Sequence, residues 1–160
     1  MKRGRKRWAK RVIGVSIVIL GVLLLTQVVN GYFFSSKAVM HLSGARFEVT
    51  LADNQKTRTK GLSGTKVLPA DHAMVFVFDY PSQWSIWMKE MNFPIDIVWL
   101  DDSKRVVHLV TNVPPESYPN KTFSPAEPAR YVVEFRSGTV SQKGIKIGQE
   151  AVFSGTSRKL

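Results

Sequence analysis

The hydrophobic pattern of this chain changes character once, sharply. From Val12 to Ser36, 25 consecutive residues carry no charge, and 13 of the 18 residues from Val12 to Val29 are Val, Ile or Leu. As a helix rising 1.5 Å per residue, Val12–Val29 spans roughly 27 Å, and continuing to Phe34 gives about 35 Å. A bilayer's hydrocarbon core is about 30 Å thick. At roughly 0.3–0.6 kcal/mol for each branched aliphatic residue, insertion is favoured by up to about 4–8 kcal/mol. The pattern predicts a single transmembrane helix over 12–34, with Tyr32, Phe33 and Phe34 at the far interface, where aromatic rings settle.

After residue 36 the pattern becomes that of short strands. Arg46–Leu51 alternates, with Phe47, Val49 and Leu51 on one face. Met74–Phe78 and Ile95–Leu100 are near-continuous apolar runs, the mark of strands covered on both sides. Asp101-Asp102-Ser103 reads as a turn, with Arg105–Val110 returning as a hairpin. Arg130–Arg136 alternates Tyr131, Val133 and Phe135 inward, and Lys146–Phe153 is the expected last strand. Two short helices are expected. Asn54 is placed to cap Gln55–Lys60 with Gly61 beyond its end, and Thr139–Lys143 ends at Gly144. Residues 112–129 hold five of the eight prolines and predict a long ordered loop. The fold class expected is mainly β: a compact barrel- or sandwich-like sheet with one or two short helices, preceded by the transmembrane helix.

Charge then orients the chain. Lys2, Arg3, Arg5, Lys6, Arg7, Lys10 and Arg11 precede the apolar run with no acid among them. The positive-inside rule puts this head in the cytoplasm and the rest of the chain outside a cell membrane. Ser36-Lys37-Ala38 has small residues at the two positions a signal peptidase checks, so export after cleavage is the alternative. The apolar run, however, exceeds the usual signal core of about 7–15 residues. Removing the seven head residues from 23 basic ones leaves 16 against 12 acids, a net charge near +4. Such a balance gives no argument for nucleic acid as a partner. The expected organisation is a basic cytoplasmic segment (1–11), the anchor (12–34), a linker (35–42), one exported β-rich domain (43–153) and a tail (154–160). There is no cysteine, which excludes disulfides and thiolate metal sites. His41, His72 and His108 are scattered, so neither a metal site nor a cofactor is expected.

Several strings together resemble a known family. They are Arg58-Thr-Lys-Gly61-Leu-Ser-Gly64, Leu68-Pro69, Met74–Phe78, Trp87-Met-Lys89 and Phe93-Pro-Ile-Asp96-Ile-Val-Trp-Leu-Asp101. Further on come Asn112-Val-Pro-Pro115, Pro128-Ala-Arg-Tyr-Val-Val-Glu134, Gly138 and Gly144-Ile-Lys-Ile-Gly148. The chain resembles the domain of unknown function 192 family over roughly residues 40–153. The resemblance implies a compact, predominantly β domain, often exported, with no established activity. The chain departs from that pattern at Thr65, where Arg is frequent, at Ala73, where Gly is usual, and at Glu90, where Asn is usual. It also lacks the Cys pair that some members carry in the proline loop.

The candidate ligand-binding residues are Arg58, Trp87, Lys89, Asp96, Asn112, Tyr118 and Glu134. Asp96 shares an apolar strand face with Val98 and Leu100, so its carboxylate needs a partner. Lys89, Arg58 and Arg130 are the expected choices, and the group Trp87, Lys89 and Asp96 is expected to line one surface with Asn112 and the proline loop. Glu134, flanked by Arg130 and Arg136, reads as a surface ion pair. Trp84 and Trp87, three apart, could form a platform for a sugar or peptide. No nucleophile elbow, catalytic Cys or phosphate loop is present. The sequence therefore favours a binding or interaction module for an envelope polymer, peptide or protein. The alternative is a hydrolase using Asp96 with Lys89 or Glu134 as acid–base groups.

Overall fold

The computed structural model describes residues 38–155 and residue 160. The predicted transmembrane helix and its basic head lie outside the described residues. Within the described residues no helix is long and apolar enough to cross a membrane. The described residues form seven strands: β1 (Ala38–Leu42), β2 (Ala45–Ala52), β3 (His72–Ser82), β4 (Ile95–Leu100), β5 (Val106–Val113), β6 (Ala129–Arg136) and β7 (Val152–Ser154). Two short helices, α1 (Gln55–Lys60) and α2 (Thr139–Lys143), and one turn of 3₁₀ helix at Pro115–Ser117 complete the set.

The strands make one open mixed sheet in the order β5-β4-β6-β3-β2-β1-β7, with β2 and β3 parallel and the other neighbours antiparallel. This corrects the expected barrel or sandwich. Among the described residues there is no second sheet; β3, β4 and β6 are apolar on both faces, and each face builds its own core. Phe47, Val75, Val98, Leu100, Val133 and Phe135 form one core, against which α2 packs Val140. Phe76, Ile97, Trp99 and Val132 form the other, covered by loops that contribute Leu62, Ile86 and Met88. The segments flanking the edge strands β5 and β7 are tied together at residues 104–106 and 148–151. Arg105 bridges Glu150, Val106 N donates to Gln149 O at 2.9 Å, and Ala151 N donates to Lys104 O at 2.9 Å.

Local chemistry explains the elements. Ser43 and Gly44, at φ 53° and 74°, form the two-residue turn joining β1 to β2, whose positive dihedrals match the twist of the strands. At α1, Asn54 accepts from Thr57 N at 3.0 Å while the Thr57 hydroxyl accepts from Asn54 N at 3.2 Å, a complete capping box. Asp101 Oδ1 accepts from Arg105 N at 2.8 Å and closes the β4–β5 turn.

Three boundaries differ from expectation. Residues 38–42 of the expected linker are strand β1, with Ala38, Met40 and Leu42 all in the core. The expected last strand from Lys146 shrinks to Val152–Ser154, because Gly148 (φ 87°) turns the chain and its N–H bonds Val106 O at 2.8 Å. Strand β5 runs to Val113, which shortens the proline loop by two residues at its start.

Candidate functional site

On the loop-covered face of the sheet, β3 and β6 open under α1 and the 84–91 segment into a cavity of about 610 Å³. Glu134 contributes to its lining from the centre of β6, between Met74 of β3 and Ile97 of β4. It is 4% exposed, and its Oε2 has no hydrogen-bond partner among the described residues. Burial pushes the Glu134 carboxyl up to about 8, because an ionised carboxylate here would lose its hydration. At neutral pH the group is therefore a protonated acid that can both donate and accept. The expected surface ion pair is corrected. Arg130 instead donates to Asp102 Oδ1 at 2.9 Å and to Phe78 O at 3.3 Å, while β6, central in the sheet, is covered on both faces.

The walls are fixed without a ligand. Phe78 stacks on Trp84 with ring centroids 4.0 Å apart and planes 7° apart. The Arg58 guanidinium lies 5.4 Å from the Phe78 ring, donates to Val77 O at 2.7 Å and stands 3.9 Å from Asp79. Arg58 thus forms part of the wall, held by Val77 O and the Phe78 ring. Trp84 Nε1 donates to Tyr80 O at 3.2 Å, and Trp99 Nε1 donates to Trp84 O at 2.9 Å. Gly61, at φ 49°, lets the end of α1 close down, since a Cβ there would lie 3.2 Å from Phe76 Cζ. Rings held this way lose little freedom when a ligand arrives.

Lys89 stands exposed among the lining residues. Its backbone is anchored, with Lys89 O accepting from Ser63 Oγ at 2.7 Å and Glu90 O from Gly64 N at 2.9 Å. Glu90 takes a left-handed φ of 55°, a conformation to which Asn is better suited than Glu. Trp87, 48% exposed, also lines the cavity and meets Tyr118 edge-on at 6.5 Å.

Asp96 lies elsewhere. Alternation along β4 sends it with Val98 and Leu100 to the opposite face of the sheet, where it is fully buried. Its Oδ1 accepts from Asn112 N and its Oδ2 from Val140 N, both at 2.9 Å. The expected partners Lys89, Arg58 and Arg130 are replaced by two backbone amides that no side-chain pattern announces. Asn112 sits beside Asp96 and accepts from Ser137 Oγ at 2.9 Å; both line a second, smaller cavity of about 430 Å³. Of the candidates, Arg58, Trp87, Lys89 and Glu134 are brought together, Tyr118 reaches them through Trp87, and Asp96 and Asn112 are not. The residues that sequence reasoning missed are Phe76, Phe78 and Met91, which line the same cavity. Phe76 and Phe78 lie in an apolar run covered on both sides, which has no periodicity to single them out, and Met91 lies outside any strand. Among the described residues no group of three or more His, Asp or Glu is placed to hold a metal ion.

The family described as DUF192, "Uncharacterized ACR", matches residues 38–153, the whole sheet but for the last residue of β7. The chain belongs to the DUF192 family. This DUF192 domain is 32% identical over 113 residues to a UPF0127 protein of Thermococcus gammatolerans, covering 69% of each chain. A second UPF0127 protein, from Thermococcus kodakarensis, is 32% identical over 103 residues, covering 63% of this chain and 61% of the relative. Among solved structures, a protein of Sinorhizobium meliloti described as a "putative transcription regulator" aligns with TM-score 0.68 at 27% identity, over 76% of this chain and 95% of the other. A protein of unknown function from Novosphingobium aromaticivorans aligns with TM-score 0.66 at 26% identity, over 72% and 83%.

Proposed function

We propose that this DUF192 domain is a binding module held at the outer face of a membrane by residues 12–34, and that its cavity takes a small molecule or the end of an envelope polymer or peptide. The observation that carries the reading is the unpartnered oxygen of a buried carboxyl in a pocket lined by Phe76, Phe78 and Trp84. An apolar cavity with a few convergent polar groups is the usual form of a ligand site. Hydrolysis has less support. Asp96 sits on the other face with both oxygens occupied, and Asp79 in the cavity stands beside Arg58, so Glu134 has no second free acid there. The cavity and the near-balanced charge of the exported part favour a small ligand over nucleic acid, whatever the description of the Sinorhizobium protein.

The test is affinity capture. Full-length chain in detergent is offered to solubilised envelope material, and retained molecules are identified by mass spectrometry against the Trp87→Ala and Glu134→Gln variants. Material retained by the wild type and lost from both variants supports the reading; an identical set on all three overturns it. The membrane tether is tested separately. Alkaline carbonate should leave the full-length chain in the membrane pellet, and recovery of a soluble form beginning near Val39 would show cleavage instead.

A further inference from the structure

We propose that the cavity selects ligands bearing a primary ammonium, bound at the Glu134 carboxyl, next to a carboxylate that turns towards Lys89, with an apolar body lying along Phe76 and Trp84. This deepens the pocket reading above and rests on it. Free amino acids with apolar side chains carry this chemistry, and so does the amino end of a short peptide.

Three features of the cavity point to it. First, the polar group missing a partner is an acid oxygen, and Oε2 of Glu134 is the buried side-chain atom left without one. An incoming N–H donor satisfies it, and a positively charged donor satisfies it best. Second, the two ends of the site are opposite in sign once Glu134 ionises: the acid is buried and Lys89 is exposed. A carboxylate-only ligand would have to accept from the protonated Glu134 and would release no proton, and an amine-only ligand would leave Lys89 unmatched. Third, the other charged groups lining the cavity, Arg58 and Asp79, stand 3.9 Å from each other, and Arg58 also donates to Val77 O. The apolar, aromatic lining supplies a low-dielectric setting in which a charge pair and cation–ring contacts gain strength.

A proton signature follows. The empty site holds Glu134 protonated, since burial pushes it up to about 8. An ammonium favours the ionised carboxylate, so binding at pH 7 drives one proton off Glu134 into solvent. The titratable groups lining the cavity are Arg58 from α1, Asp79 and Tyr80 from β3, and Lys89 from the 84–91 segment, while Arg130 and Arg136 lie on Glu134's own strand; no histidine lines it. Affinity for an ammonium ligand therefore rises by about tenfold per pH unit below about 8 and falls again once the ligand's own ammonium loses its proton.

The experiment uses full-length chain in detergent and probes sharing one ring: phenylalanine, phenylalanyl-glycine, 2-phenylethylamine, 3-phenylpropionate and 2-phenylethanol. Binding is followed by calorimetry in buffers of different ionisation enthalpy and by the indole N–H signals of Trp84 and Trp87. Phenylalanine or the dipeptide should bind at least tenfold tighter than 3-phenylpropionate, releasing close to one proton per ligand at pH 7. The better of the two identifies the source as free amino acid or peptide end. Lys89→Ala should bring phenylalanine down to the affinity of 2-phenylethylamine. Glu134→Gln should abolish proton release, with its melting curve showing that it is folded. Tightest binding by 3-phenylpropionate or 2-phenylethanol, or ammonium binding without proton release, overturns the proposal and leaves the pocket reading standing. If no probe of any charge shifts the Trp84 and Trp87 signals, the ammonium proposal falls, and the pocket reading is decided by the affinity capture above.

Discussion

Asp96 and Glu134 are both buried carboxyls, on adjacent strands of one sheet, and they face opposite sides of it. Asp96 is closed: each oxygen accepts a backbone amide, and the two amides come from β5 and α2. It joins those elements to β4, and neither oxygen is left without a partner. Glu134 is open: one oxygen lacks a partner and the group adjoins a cavity. Burial is the same in both, so burial alone does not separate a structural acid from a functional one. What separates them is whether the surrounding fold has already completed the hydrogen bonds. An acid finished by the backbone stabilises, whereas an unfinished one is held at a cost and is available.

The sharpest way to break this comparison is to remove the closed acid. Asp96→Ala leaves two backbone N–H groups without their acceptor, at about 1–3 kcal/mol each. The melting temperature should fall by about 10 °C or more. A fall of only a degree or two would mean that the two amides find other partners and that Asp96 is no keystone.

Next in size is the open acid. Glu134 keeps its proton in the folded chain to about pH 8 but in the unfolded chain only to its ordinary value of 4.5. Between these values the folded state binds more protons than the unfolded one. Its contribution is full below about pH 4.5 and is lost as pH rises to about 8. The wild type should therefore lose stability to this group between pH 5 and 8. Glu134→Gln, which cannot ionise, should gain on it across that range by up to about 1.4 kcal/mol per pH unit, read as a melting-temperature gap that widens with pH. A difference in melting temperature that stays constant with pH would show that Glu134 is solvated.

Two smaller effects test the frame of the pocket. Gly61→Ala should cost about 1–2 kcal/mol, from its left-handed backbone and its approach to Phe76, read by urea unfolding. An unchanged unfolding midpoint would mean that α1 moves freely off the cavity. Lys89→Ala should change stability by less than about 0.5 kcal/mol, since its ammonium is exposed. The same variant should lose envelope material in affinity capture. A large loss of stability there would turn Lys89 into a structural residue.

How much of this was legible in the sequence differs between the two sides. Strands β2, β3, β4 and β6 and the capped helix α1 follow from alternation, apolar runs and the Asn54 signal, because those are local properties. Strand β1 reads as a linker, since five residues adjoining a long apolar run show little periodicity of their own. The need of Asp96 for partners was visible, but their identity was not, because Asn112 N and Val140 N lie 16 and 44 residues away and carry no side-chain signal. Glu134 between two arginines looked like a surface residue. Only the position of β6 between β3 and β4 buries it, and strand order is a tertiary fact. Arg58, Trp87 and Lys89 were recognised through their motif strings, and the cavity that unites them was not.

Strand β1 is an inner strand, bonded on one side to all of Ala38–Leu42's partners in β2 and on the other to β7. A pull applied at Ala38 along the strand would load those hydrogen bonds together, in shear, rather than unzip them one at a time. A domain fastened to a surface by the segment before Ala38 and seized by its cavity would meet that tension with its most resistant geometry.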